Sequence, residues 1–126
     1  MSERSFDAQI KKDGAFMTVK ELADRLELTA LHLADPEREV AGGYCGDLLS
    51  WVMGNAGAGC AWLTIMSNAN VAAVAALTDA ACVILTEDVA PDAALAQRCA
   101  QQGINLLGTK RPTFACAAAV AGCLRP

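Results

Sequence analysis

The chain has 126 residues, 54% apolar and 19% charged, which suffices for one buried core and is too apolar for bulk disorder. Its net charge of −4 and pI of about 4.8 come without the basic stripe that neutralises phosphates, so no nucleic-acid partner is expected. No charge occurs from Leu48 through Thr78, yet Gly54, Asn55, Gly57, Gly59, Asn68 and Asn70 interrupt that run; a spanning helix needs about 20 unbroken apolar residues, so no membrane partner is expected either.

Residues 1–16, MSERSFDAQIKKDGAF, mix charged and small polar residues without period and lack the apolar stretch of a signal peptide. They read as a flexible N-terminal extension of a cytoplasmic protein, with 17–126 as its single domain. In TVKELADRLEL, Thr18 and Glu21 have capping-box spacing, and Val19, Leu22, Ala23 and Leu26 recur at i, i+3, i+4, i+7. This is an amphipathic helix. Leu31-His32-Leu33 is a brief apolar patch before the turn signal Asp35-Pro36.

From Val40-Ala41 the chain enters Gly42-Gly43-Tyr44-Cys45-Gly46, and Asp47 stands where an N-cap precedes a helix through Leu48, Leu49, Trp51, Val52 and Met53. Gly57 and Gly59 mark its exit. Three further units follow. Cys60–Met66 is strand-like and leads through Ser67-Asn68-Ala69-Asn70 to a helix over Val71–Leu77. Ala81–Leu85 is strand-like, followed by Thr86-Glu87-Asp88 and a helix from Pro91 to Gln102, with Gly103 at its C′ position. Ile104–Leu107 is strand-like, followed by Thr109-Lys110-Arg111 and a last helix from Pro112 through Gly122. Apolar strands alternating with helices predict one three-layer α/β domain, a mainly parallel sheet buried on both sides by helices.

The glycines raise the question of phosphate binding. A P-loop requires GxxxxGK[ST] between strand and helix, because lysine reaches the outer phosphates and a hydroxyl holds magnesium. Gly54-Asn-Ala-Gly57-Ala-Gly59 lacks lysine and hydroxyl, has the reverse of the dinucleotide spacing, and leads into a strand. These glycines are turn-makers. The earlier cluster precedes a helix, so Gly42, Gly43, Tyr44, Gly46 and Asp47 either contact a ligand or serve capping and close backbone packing.

Parallel strands bring their exit loops to one edge, where doubly wound folds bind ligands. Ser67, Asn68, Asn70, Thr86, Thr109 and Lys110 are therefore expected to converge there with Tyr44 and Asp47; the plainer alternative is that such loops are polar because they face water. Catalytic residues are sparse. His32, the only histidine, lies between leucines and reads as a half-buried packing residue; Glu87 and Asp88 are chain neighbours that point apart in a solvated loop; Lys110-Arg111 either holds an anion or faces water. Trp51 and Trp62 are core or interface anchors. The six cysteines form no CxxC and no cysteine–histidine cluster, and read as small hydrophobes, with Cys45 as the one candidate for thiol or metal sensing. No cofactor and no metal are expected.

The segments MTVKELADRLEL, EREVAGGYCGDLLSWVMGNA, LTIMSNANVAAVAAL and TEDVAPDAALAQRCAQQGINLLGTKRPTFACAA together resemble the DRTGG domain family over Met17 to Cys123. The GG-Y-x-GDLLS portion carries most of the resemblance. The namesake Asp-Arg-Thr-Gly-Gly is here Glu39-Val40-Ala41-Gly42-Gly43, so only the paired glycines are kept. The resemblance implies a fold similar to the N-terminal, non-catalytic domain of HPr kinase/phosphorylase and a module without catalysis of its own. In other proteins such domains accompany CBS domains or phosphotransacetylase. Stand-alone members occur beside iron-hydrogenase and electron-transfer genes. The expected function is a regulatory or ligand-sensing module, a homodimer or the companion of a protein partner, with a small anionic or nucleotide ligand. The alternative is a phosphotransferase-type enzyme acting through the loops at the carboxyl edge.

Overall fold

A computed structural model describes residues 17–124; the extension expected over 1–16 lies outside the described residues. The elements in chain order are β1 (Met17–Thr18), α1 (Val19–Leu26), β2 (Thr29–His32), β3 (Glu39–Val40), β4 (Gly42–Cys45), α2 (Leu49–Asn55), β5 (Cys60–Thr64), α3 (Asn70–Thr78), β6 (Cys82–Leu85), α4 (Ala93–Gln102), β7 (Leu106–Gly108) and α5 (Thr113–Cys123). A five-stranded sheet has the order β2-β7-β6-β5-β4, and β1 pairs separately with β3. Strands β4 to β7 run parallel; β2 joins β7 antiparallel.

The period-2 alternation of strands sorts the core into two layers. On one face Ala61, Leu63, Cys82, Ile84 and Leu107 meet Val19, Leu22 and Leu26 of α1 and Cys116 and Val120 of α5. On the other, Cys60, Trp62, Val83, Leu85 and Leu106 meet Val52 of α2, Val71, Ala72, Val74 and Ala75 of α3, and Leu95 and Cys99 of α4. Every residue of β5, β6 and β7 is buried, as their unbroken apolar runs require. The expected three-layer α/β domain is the observed fold.

The helix ends follow local chemistry. Thr18 accepts from the Glu21 N–H at 3.1 Å while the Glu21 carboxylate accepts from the Thr18 N–H at 2.9 Å, which closes the capping box. Gly103 takes the left-handed conformation at φ 71° and ends α4. Gly59, at φ 77°, turns the chain into β5.

Four sequence expectations change. Gly42-Gly43-Tyr44-Cys45 is not a loop ahead of a helix but the edge strand β4, paired with Cys60–Leu63. Leu31-His32 belongs to β2, an exposed edge strand whose pairing, not its pattern, makes it a strand. Gly54 lies inside α2 rather than in a turn. The strand expected from Ile104 starts at Leu106, because buried Asn105 has another role: its side-chain amide donates to the Asp35 and Ala81 carbonyls at 2.8 and 2.9 Å, and its side-chain oxygen accepts from the Asp35 N–H at 2.8 Å. That staple ties the β2–β3 connection to the sheet.

Candidate functional site

Because β4, β5, β6 and β7 are parallel, their exits lie on one edge of the sheet. Gly46-Asp47, Ile65–Ala69, Thr86–Pro91 and Thr109–Pro112 therefore share a rim. Tyr44 lies one residue before the end of β4. Gly42 does not reach the rim, since it opens β4 opposite Cys60 at the amino end, and Gly43 lies in the strand body. Asn70 is the first residue of α3, and its N–H donates to the Asn68 side-chain oxygen at 2.9 Å.

The β4–β5 half of the rim is closed by internal hydrogen bonds. Asp47 does not cap α2; the cap position is Leu48, which makes no side-chain cap bond. Instead the Asp47 carboxylate accepts from the Thr64 hydroxyl at 2.8 Å and the Ile65 N–H at 2.9 Å. A charged acceptor with two donors is held more firmly by the adjoining strand than by its own helix. Trp62, fully buried, donates its indole N–H to the Gly46 carbonyl at 2.9 Å. Ser67 donates to the Asp92 carboxylate at 3.2 Å, tying this connector to the start of α4. Trp51 is 62% exposed and contributes nothing to the core.

The β6–β7 half is built differently. The loop after β6 leads to α4 on one face of the sheet, and the loop after β7 leads to α5 on the other. Diverging connectors of adjacent strands open the crevice at which doubly wound folds bind ligands. Below it, Thr86 is fully buried and shares a 2.6 Å hydrogen bond with the Thr113 hydroxyl. The Glu87 carboxylate accepts from the Thr113 N–H at 2.8 Å, occupying the α5 N-terminus. The Glu87 N–H donates to the Arg111 carbonyl and the Asp88 N–H to the Thr109 carbonyl, at 2.9 and 3.0 Å. Both acidic residues are left-handed at φ 60°, a conformation uncommon outside glycine. A cavity of about 210 Å³ opens here, lined by Thr29, Leu31, Asp88, Val89, Pro91, Thr109 and Lys110 among others.

The sequence did not point to Asp88, Val89 and Pro91 as wall residues, and Thr29 and Leu31 come from a strand it gave no sign of. Only the Asp-Val-Ala-Pro turn signal hinted at a structured loop. Of the expected site residues, Thr109 and Lys110 reach this cavity; Gly43 and Tyr44 line another, of about 180 Å³, between β4 and α5 together with Cys45, Leu63, Ala117, Val120, Ala121 and Leu124. Among the described residues, no charged side chain lines that second space.

Cys45 is exposed, and desolvation followed by the Asp47 carboxylate pushes its thiol pKa up. Thiolate is the reactive form, so this environment works against a reactive cysteine. The other five thiols are buried and free, with Cys82 pushed up to about 12 by burial and then by its neighbours Cys60 and Cys116. Among the described residues, no three or more His, Cys, Asp and Glu side chains are grouped to hold a metal ion, and no helix is long and apolar enough to cross a membrane.

No protein-family model and no curated protein matches the chain. Its structure is similar to a crystal structure of the CBS and DRTGG domains of the regulatory region of Clostridium perfringens pyrophosphatase, complexed with the activator diadenosine tetraphosphate. The TM-score is 0.72 at 13% identity, over 90% of this chain and 49% of that one. The chain thus spans about half the length of that regulatory region. It has a DRTGG-related fold.

Proposed function

We propose that the chain is a DRTGG-type regulatory module that senses a small ligand at the β6–β7 crevice, without catalysis of its own. The carrying observation is the crevice itself: two connectors part over the sheet edge, and the side chains there include an exposed Lys110, in no ion pair among the described residues and available to an anionic group. The neighbouring structure supports the regulatory part of this reading, since it belongs to a regulatory region crystallised with a nucleotide activator. A small molecule placing an anionic group, a phosphate or a carboxylate, on Lys110 is the expected ligand type. The module signals as a homodimer or through a protein partner in the cytoplasm.

A thermal-shift screen with nucleotides, phosphorylated metabolites and amino acids tests this. A ligand that prefers the native state raises stability by about 2.7 kcal/mol at a hundredfold excess over Kd. The rise is expected to vanish in Lys110→Ala and to persist in Asp47→Ala, whose carboxylate is engaged within the protein. A screen without any stabilising compound, or a response that Lys110→Ala leaves unchanged, refutes the site. Light scattering at micromolar concentration checks the homodimer, and a lone monomer there leaves only the partner-protein form.

A further inference from the structure

Asp88 and Lys110 line one cavity with opposite charge. Among the described residues neither enters an ion pair, and the Asp88 carboxylate accepts no hydrogen bond. They stand on the two connectors that the fold sends to opposite faces. A simple anion drawn to Lys110 faces the Asp88 carboxylate, and a simple cation drawn to Asp88 faces the Lys110 ammonium. A molecule carrying both charges satisfies both walls at once, whereas a singly charged one is attracted by one wall and repelled by the other.

The rest of the wall restricts the molecule further. Leu31, Val89 and Pro91 give an apolar side, and the Thr109 hydroxyl is a hydrogen-bond donor beside Lys110. The volume of about 210 Å³ falls below the roughly 300–1,000 Å³ of pockets for drug-sized ligands. We propose that the crevice binds a free aliphatic α-amino acid. Its ammonium meets Asp88, its carboxylate meets Lys110 and Thr109, and its side chain lies against Leu31, Val89 and Pro91. This rests on the ligand-sensing reading above and specifies its anionic group as the carboxylate of a zwitterion.

Titration calorimetry on the full chain tests it with four probes: L-leucine, 4-methylpentanoate (no ammonium), 3-methylbutylamine (no carboxylate) and ATP. L-leucine is expected to bind at least tenfold tighter than either singly charged analogue. Asp88→Asn, at a left-handed position that asparagine adopts readily, is expected to weaken L-leucine at least tenfold and leave 4-methylpentanoate no weaker. Lys110→Gln is expected to weaken L-leucine and 4-methylpentanoate but not the amine. L-leucine binding no tighter than 4-methylpentanoate, or insensitive to Asp88→Asn, overturns the proposal. ATP binding that Lys110→Ala abolishes, with no L-leucine binding, overturns it while the sensing reading stands. Silence toward all four probes overturns it too, and the sensing reading then falls only if the metabolite screen is silent as well.

Discussion

The two halves of the sheet edge are both polar in sequence and differ in physical character. At the β4–β5 half, Asp47 is held by Thr64 and Ile65, and the Gly46 carbonyl is held by Trp62. At the β6–β7 half, Thr113 bonds to Thr86 through its hydroxyl and to Glu87 through its N–H, while among the described residues Asp88 and Lys110 enter no ion pair. The two cavities repeat the contrast. The described lining of the one between β4 and α5 is uncharged and mostly apolar, while the crevice presents both signs of charge. A polar connector is a recognition element only when the fold leaves its groups unmatched; otherwise it is scaffold.

Four substitutions test that division. Trp62→Ala removes the largest fully buried side chain and leaves the Gly46 carbonyl without its donor; urea unfolding is expected to show a loss of about 3–5 kcal/mol. A loss under about 1 kcal/mol would mean the scaffold half is looser than drawn. Asp47→Ala deprives two donors of their acceptor and is expected to cost about 1–3 kcal/mol, with the ligand response intact. Loss of that response at retained stability would transfer Asp47 to the recognition half.

Gly43→Ala is expected to gain about 0.4–1 kcal/mol. The glycine has no positive φ, its added methyl would lie 3.7 Å from Val120 Cγ1 and 3.8 Å from the Ala61 carbonyl oxygen, and the unfolded chain loses freedom. A destabilised variant, measured by thermal unfolding, would show that β4 needs its glycine for something beyond packing. Smallest in stability is Lys110→Ala, expected within about 0.5 kcal/mol of the parent, although it abolishes the ligand response. A larger loss of stability would identify Lys110 as scaffold.

Legibility in the sequence followed the range of the interactions. The α1 capping box was visible because Thr18 and Glu21 are three residues apart, and β5 and β6 because strands buried on both faces are continuously apolar. The register-setting residues were less visible. β4 opens with two glycines, which strands disfavour, and at an edge pairing with β5 is enough to make it a strand. β2 has no alternation to detect, being mostly exposed. Asp47 was read as a cap because its local neighbours suggested one, while its partners lie 17 and 18 residues on. Asn105 passed as part of an apolar run, because its partner Asp35 is 70 positions away. The candidate site was legible as an edge but not as a half of that edge, since what separates the halves is which groups find partners across the sheet.

The antiparallel seam between β2 and β7 carries a consequence for biosynthesis. Thr29 must wait for Gly108, so one wall of the crevice closes only when nearly the entire domain has been synthesised. Such distant pairings form slowly and leave hydrophobic surface open meanwhile. A nascent chain therefore leaves β2 without its partner and the outer flank of β6 open to chaperones and to aggregation until β7 fills the gap between them.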